Sequence, residues 1–348
     1  MPPLLEARQV RKVFHSGGGL FGSRSETVAV DGFSMTINDD EPAFITIAGE
    51  SGSGKTTIAR MLLGVTDATG GQVLYRGQDL VTMNGDQRRA FRQEVQAIFQ
   101  DPFEVYNPFY KIDHILTTPI EKFGLAASKD EARDKIIEAL ETVGLHHEDT
   151  LGRYPHQLSG GQRQRITIAR ALLLKPRLII ADEPVSMVDA SLRATILESL
   201  HKLYRDFNIS FLYITHDLTT AYQVSQNIVI LYHGSVVEAG HVDQVIKDPK
   251  HPYTQELIHS IPVPEPGSQW IEEAVEEKDE SEASAITANG CPYAPRCARA
   301  MARCQEAKPP LYQTDSGRAA ACYLYDSDPV LEGEDLTTVL AAAASEKA

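Results

Sequence analysis

The sequence contains no apolar run of about 18 residues, the length at which a stretch becomes a candidate membrane-spanning helix. We therefore expect no transmembrane segment. The first residues, MPPLLEARQVRKVF, also lack the basic-then-apolar pattern of a secretory signal. Together these two absences predict a protein of the cytoplasm.

Basic residues are in the minority. Lys and Arg total 33 against 48 Asp and Glu, which gives a formal net charge of −15. Because binding to nucleic acid requires a basic face that meets the phosphates, this balance argues against nucleic acid as a partner. An acidic surface is consistent with solubility, and a hydrophobic content of 42% suits a globular protein with a core.

Cysteine is scarce and unevenly placed. The 4 cysteines of the chain all follow residue 290, and they are Cys291, Cys297, Cys304 and Cys322. Disulfides are rare in a reducing cytoplasm, whereas clustered thiolates suit a metal centre. The residues alone leave metal-bound and unligated thiols open.

Predicted strands and helices alternate along most of the chain, which predicts an α/β fold with a mostly parallel sheet. Short strands over residues 4–48 precede it, and a largely helical insertion at about 100–157 is long enough to form a subdomain. Beyond Pro262 the composition becomes acidic and of low complexity. We divide the chain into a main domain at 1–262, an acidic linker at 263–290, a cysteine segment at 291–325 and a tail at 326–348.

The string GESGSGKT fits the phosphate-loop pattern G-x-x-x-x-G-K-[ST], and it lies between a predicted strand and a predicted helix. Gly52 and Gly54 let backbone N–H groups close around a phosphate, and the helix N-terminus adds partial positive charge. Lys55 is expected to reach the β- and γ-phosphates, and Thr56 to offer a hydroxyl to Mg²⁺. The predicted nucleotide contacts here are Gly49, Glu50, Ser51, Gly52, Ser53, Gly54, Lys55, Thr56 and Thr57.

An apolar run that ends in an acidic pair, LIIADE, predicts a buried strand with functional carboxylates at its end. Asp182 is expected to hold Mg²⁺ or a water molecule bound to it. Glu183, one residue further, is expected to polarise the attacking water as a general base.

The string LSGGQRQR lies about one hundred residues after the phosphate loop and one helix before the acidic strand. Ser159 stands at a predicted helix N-cap, followed by Gly160, Gly161 and Gln162. Exposed backbone N–H groups at such a helix start favour an anion. The chain therefore carries two predicted anion-binding helix starts.

In this order and spacing the three motifs resemble those of ATP-binding-cassette (ABC) ATPases, over residues 4–262. The resemblance implies a RecA-like P-loop NTPase core with an antiparallel β subdomain and an inserted helical subdomain. It assigns Gln100 to the Q-loop, as a catalytic residue and Mg²⁺ ligand, and His216 to the catalytic switch histidine. It also places Asp189 in the D-loop and Phe14 beneath the adenine, although an isolated Phe in a strand also fits a core position.

The same resemblance explains the two anion sites. It implies that two ABC ATPase subunits, identical or paralogous, pack head to tail. Each ATP then lies between the phosphate loop of one subunit and the LSGGQ string of the other. ATP closes such a dimer, and hydrolysis opens it.

The C-terminal region, with HPYTQELI, CPYAPRC, MARC and Cys322, resembles the ATPases of oligopeptide and dipeptide importers. This implies a [4Fe–4S] cluster on the four cysteines, with zinc as the alternative, although zinc usually takes a C-x₂₋₄-C pair that is missing here. It also implies two integral membrane permease subunits, an extracytoplasmic solute-binding protein and a peripheral position on the cytoplasmic face of the inner membrane. The aromatic stretch DPFEVYNPFY after Gln100 is expected to contact the permease, or else to pack inside the helical subdomain.

Other functions remain open at this point. The same ATPase could serve an oligosaccharide or nickel importer, or act in a soluble ABC protein that does not transport. Three features argue against a soluble ABC protein that does not transport. They are the single cassette, the short gap between the phosphate loop and LSGGQ, and the acidic net charge. A GTPase or kinase would have no use for LSGGQ or for a switch histidine.

Overall fold

The computed structural model describes residues 2–16, 25–101, 105–261 and 290–341. The predicted linker at 263–290, apart from its last residue, lies outside the described residues. So do the last seven residues of the predicted tail and three residues of the aromatic stretch.

The strands of the described residues form two sheets. The strands are β1 (Leu5–Ser16), β2 (Ser25–Ile37), β3 (Phe44–Ala48), β4 (Gly70–Tyr75), β5 (Gln78–Asp79), β6 (Val95–Ile98), β7 (Leu178–Asp182), β8 (Ser210–Thr215), β9 (Asn227–Tyr232), β10 (Ser235–His241), β11 (Tyr312–Asp315) and β12 (Arg318–Ala320).

The α-helices of the same ranges surround these sheets. The helices are α1 (Lys55–Leu62), α2 (Gly85–Glu94), α3 (Ile112–Phe123), α4 (Lys129–Thr142), α5 (His147–Thr150), α6 (Gly160–Leu172), α7 (Ala190–Phe207), α8 (Leu218–Val224), α9 (Val242–Lys247), α10 (Pro252–His259), α11 (Ala302–Glu306) and α12 (Thr337–Ala341). Within the described part of the chain, each helix is too short or too polar to cross a bilayer.

The larger sheet has the strand order β11-β12-β10-β9-β3-β8-β7-β6. Its strands from β9 to β6 are parallel, and β10, β11 and β12 continue it in antiparallel fashion. Every residue of β3 and of β8 is buried. Parallel strands covered on both faces carry continuous apolar runs, which is why AFITIAG and LIIAD identify them in the sequence. The predicted parallel α/β core is confirmed.

The smaller sheet has the order β2-β1-β4-β5 and is antiparallel. Its buried residues Val10 and Phe33 belong to the same core as Ile47 of β3 and Ile58 of α1. This is the antiparallel subdomain that the resemblance implied, and it packs directly against the region that follows β3.

Helices α3, α4 and α5 lie within the predicted insertion at 100–157. The Ser128 hydroxyl caps α4 by accepting a hydrogen bond from the Glu131 N–H at 3.1 Å. Leu116 of α3, Leu140 of α4 and Ile166 of α6 are buried in one cluster. The insertion therefore packs onto α6, the helix that begins at the LSGGQ string.

The predicted cysteine segment continues the main sheet instead of forming a separate extension. Strand β12 pairs with β10 from Glu238–Ala320 to Gly240–Arg318, and β11 pairs with β12. Leu336 and Leu340 of the predicted tail are buried in the core shared by both sheets. Sheet hydrogen bonding and apolar burial thus join the C-terminal region to the nucleotide-binding unit.

Candidate functional site

The loop between β3 and α1 requires glycine at two of its positions. Gly54 has φ 101°, and a Cβ on it would lie 2.2 Å from the backbone oxygen of Ala29. Gly49 has φ 152°, and a Cβ there would lie 2.2 Å from the backbone oxygen of Leu231. Helix α1 begins directly afterwards at Lys55. The N–H groups of its first turn have no intrahelical partner, so they point toward the loop and can bind an anion there.

Lys55 is held inside the loop and is only 5% exposed. Its Nζ donates to the carbonyl oxygens of Gly49 at 2.7 Å and of Glu50 at 2.8 Å. Burial lowers the pKa of Lys55, while the carboxylates of Glu183, Asp182 and Glu50 act in the opposite direction. A buried ammonium beside a helix start is well placed to attract a phosphate.

Thr56 and Asp182 meet across the gap between α1 and the end of β7. The Thr56 Oγ1 donates to Asp182 Oδ1 at 3.3 Å. Burial raises the pKa of Asp182. Both residues line one cavity together with Gln100. A hydroxyl, a carboxylate and an amide oxygen are the donors that Mg²⁺ prefers, so these three residues fit the predicted ion.

Glu183 is the centre of a second set of contacts. Gln100 Nε2 donates to its Oε2 at 3.0 Å, and its Oε1 lies 2.9 Å from His216 Nδ1. The backbone of Glu183 has φ 46°, a left-handed conformation that is uncommon outside glycine. Its N–H donates to the Ile214 carbonyl at 2.9 Å, which anchors this strained residue to β8.

The LSGGQ string forms the first turn of α6. The Ser159 hydroxyl accepts from the Gln162 N–H at 3.2 Å, and the Gln162 Oε1 accepts from the Ser159 N–H at 2.9 Å. This reciprocal pair is a capping box, so the predicted helix start is confirmed. Ser159 is exposed, and so is Asp189 at the start of α7.

Phe14 lies near the end of β1 with 46% of its surface exposed. The Nζ of Lys12 is 5.2 Å from its ring centroid. The exposure argues against a core role and leaves the ring available to a ligand.

The four cysteines are near one another but are all free. The Cys291 N–H donates to the Cys304 carbonyl at 2.7 Å. Burial, together with the charges that the other three cysteines carry as thiolates, raises the pKa of Cys322 to about 11. Sulfur is the right donor for an iron–sulfur cluster. Within the described residues, however, no group of three or more Cys, His, Asp or Glu side chains is arranged to hold a metal ion.

Sequence reasoning missed two residues that contact the phosphate loop from the C-terminal region. The Tyr253 hydroxyl accepts from the Glu50 N–H at 2.9 Å, and Arg296 Nη1 lies 3.1 Å from Glu50 Oε2. Arg296 is 246 positions from Glu50, and although it lies in the CPYAPRC string, nothing in that string indicates a contact with the phosphate loop. Such a contact follows from the path of the chain, so no local pattern could have revealed it.

The structure thus joins most of the predicted catalytic residues into one site. Lys55, Thr56 and Asp182 are linked there to Gln100, Glu183 and His216 by contacts or by a shared cavity. The hydrogen bonds of Ser159 and Gln162 instead remain within α6.

Comparison with known proteins agrees with this arrangement. A model of the ABC transporter family matches residues 30–186. A model described as the C-terminal region of oligopeptide/dipeptide transporters matches residues 237–304.

Several similar proteins span nearly the whole chain, and two of them serve as examples. One is the putative oligopeptide transport ATP-binding protein YkfD of Bacillus subtilis (strain 168), 38% identical over 93% of this chain and 96% of its own length. Another is the dipeptide transport ATP-binding protein DppF of Escherichia coli (strain K12), 35% identical over 94% of this chain and 96% of its own length.

Among solved structures, the chain resembles a dimeric post-hydrolysis state of the ATP-binding cassette MJ0796 with ADP and Pi bound. The TM-score is 0.59 and the identity 27%, over 68% of this chain and 98% of that one.

Proposed function

The chain belongs to the ABC transporter ATP-binding proteins of the oligopeptide and dipeptide class, and we propose that its ATPase activity energises the import of peptides. The observation that carries this function is the placement of Glu183. Its carboxylate is held by Gln100 and His216, and Thr56 and Asp182 lie at the neighbouring strand end. ATP hydrolysis needs a water-activating group beside a phosphate and metal site, and this arrangement provides one.

Each residue has a distinct proposed role. Lys55 and the N–H groups of residues 49–57 bind the phosphates, and Thr56, Asp182 and Gln100 would hold Mg²⁺. The ion, when bound, supplies positive charge to the phosphates. Glu183 takes the proton of the attacking water, and His216 orients the Glu183 carboxylate. Phe14 stacks on the adenine.

We propose that the active unit is a head-to-tail dimer of ATPase subunits, identical or paralogous. The Ser159 hydroxyl accepts the Gln162 N–H, whereas the N–H groups of Gly160 and Gly161, the first two residues of α6, have no intrahelical acceptor. The exposed Ser159 and the partial positive charge of this helix start suit the γ-phosphate held by a second subunit. Asp189, at the N-cap of α7, is exposed as well and would contact the partner.

The proposed membrane partners are two permease subunits, with an extracytoplasmic protein that binds the solute. The chain would then be peripheral to the cytoplasmic face of the membrane. Within the aromatic stretch Tyr106 is buried in the core of the helical subdomain, whereas Phe109 and Tyr110 are 86% and 51% exposed, which supports a permease contact by these two rings. Peptide is the solute favoured by the relatives, and oligosaccharide or nickel import stays the alternative.

For Cys291, Cys297, Cys304 and Cys322 we propose the finer assignment implied by the resemblance, a [4Fe–4S] cluster, with zinc as the alternative. The proximity of the four cysteines to one another supports this assignment. Iron and acid-labile sulfide in anaerobically purified protein would establish the cluster. Stoichiometric zinc without iron would replace it, and the absence of both metals would leave structural thiols.

The proposed function is tested by reconstituting the chain with co-purified permease subunits in vesicles. We expect ATP-dependent peptide accumulation that requires Glu183. Accumulation of an oligosaccharide or nickel, and not of peptide, would favour the alternative importer.

A further inference from the structure

Two residues of the C-terminal region contact Glu50 of the phosphate loop. Arg296 approaches its carboxylate through Nη1 at 3.1 Å and Nη2 at 3.3 Å. The backbone N–H of Glu50 donates to the Tyr253 hydroxyl at 2.9 Å. Arg296 immediately precedes Cys297, so the cysteine segment contacts the nucleotide loop directly.

Arg296 is itself fixed by several neighbours. Its Nη2 also donates to Glu256 of α10, the helix that carries Tyr253. Its guanidinium carbon is 5.8 Å from the ring centroids of both Tyr232 and Tyr293. Tyr253 is fully buried and packs on the same two rings. The guanidinium therefore packs against a cluster of buried aromatic rings next to the phosphate loop.

A carboxylate is an unfavourable group in a loop that must bind phosphates. Glu50 lies near enough to Lys55 for its charge to act on the lysine ammonium. An unneutralised Glu50 would repel the phosphates of ATP and compete with them for Lys55. The Arg296 guanidinium cancels that charge and, being a hydrogen-bond donor only, occupies none of the backbone N–H groups of the loop.

We propose that Arg296 is a positioning residue for ATP binding, which neutralises and orients Glu50 from within the cysteine segment. The inference rests on the proposed function in one respect, that the phosphate loop binds ATP. It follows that a change in the segment around Cys297 that displaces Arg296 weakens ATP binding. The C-terminal region thereby sets the affinity of the nucleotide site.

The test uses the full-length protein and measures the Kd for MgATP together with KM and kcat. Arg296→Ala is expected to raise Kd and KM about two- to fivefold, the range for a partly exposed ion pair, with kcat little changed. Arg296→Lys should restore part of the affinity, because one ammonium cannot bridge both carboxylates. Arg303→Ala is the matched control. Arg303 lies in the same segment and pairs with Asp326 at 3.0 Å, away from the loop, so its removal should leave Kd unchanged.

Two further measurements separate this role from a merely structural one. Glu50→Gln should lower Kd, and in that background Arg296→Ala should lose most of its effect, because the charge to be neutralised is gone. The effect of Arg296→Ala should also shrink between about 0.1 M and about 1 M salt.

The proposal is overturned if Arg296→Ala leaves Kd unaltered, if the rise persists in the Glu50→Gln background, or if Arg303→Ala produces the same rise. A wild-type protein that binds no MgATP would instead refute the proposed function.

Discussion

Glu183 and His216 are joined at 2.9 Å between Oε1 and Nδ1, although they come from the ends of two different strands. Strands β7 and β8 are parallel neighbours, so their carboxyl ends meet at one edge of the sheet. Glu183 keeps this contact while its backbone has φ 46°. Strain of this kind persists where surrounding contacts fix a residue, and here Ile214 of β8 provides the anchoring carbonyl and the residue directly after β8 is the histidine.

The first prediction concerns Glu183 as the general base. Glu183→Gln should lower kcat by about 10²- to 10⁴-fold, the usual contribution of a positioned base, while MgATP still binds. Because the closed dimer can then no longer hydrolyse its ATP, the variant should run as a dimer in size-exclusion chromatography with ATP. Glu198→Gln, an exposed position on α7, is the control. Turnover equal to that of the wild type would remove Glu183 from the catalytic role.

The second prediction concerns Phe14. If the exposed ring stacks on adenine, an interaction worth roughly 1–3 kcal/mol, Phe14→Ala should weaken ATP binding about five- to 150-fold. Inorganic triphosphate, which has no base, should bind both proteins equally. Phe207, which is also about half exposed, gives the matched substitution to Ala with no expected effect. Equal ATP affinity in the wild type and Phe14→Ala would contradict the stacking role.

The sequence predicted the local features of this site better than its long-range ones. The phosphate loop, the strand that ends at Asp182 and the cap at Ser159 each follow from a short string, since glycine conformation, strand burial and helix capping are local properties. Arg296 and Tyr253 lie in the strings CPYAPRC and HPYTQELI, but neither string predicts a contact with Glu50, because that contact depends on where the folded chain places the C-terminal region. The strand pairing of the C-terminal region was missed for the same reason.

The third prediction follows from that pairing. Leu336 is fully buried in the core shared by the two sheets, so Leu336→Ala should lower the free energy of unfolding of the whole protein by about 2–5 kcal/mol. Leu324→Ala, at a leucine of the same region that is 38% exposed, should cost far less. Denaturant unfolding measured by both far-UV circular dichroism and ATP binding checks this. Were ATP binding lost at the same denaturant concentration in wild type and Leu336→Ala, the C-terminal region would be independent of the nucleotide unit.

The last prediction concerns Glu238, a buried carboxyl that accepts the N–H groups of Lys250 and His251, each at 2.9 Å. Burial raises its pKa to about 7 from an ordinary 4.5. Between these values the folded state holds more protons than the unfolded one, so this group's contribution to stability is present below pH 4.5 and lost as pH rises through 7. His251, whose pKa burial lowers to about 3 from 6.5, acts in the opposite sense and gains stability as pH rises between these values.

The substitution Glu238→Gln separates the contribution of the Glu238 carboxyl from the opposing contribution of His251. The free energy of unfolding of the variant minus that of the wild type should increase between about pH 4.5 and 7, by at most about 1.4 kcal/mol per pH unit, and level off above. Urea titrations across that window measure the difference, and Glu306→Gln, an exposed carboxyl, should give a flat line. A difference that stayed constant across the window would mean that Glu238 titrates normally. The hydrogen bonds from the Lys250 and His251 N–H groups would then fully offset the free energy of burying the Glu238 carboxylate.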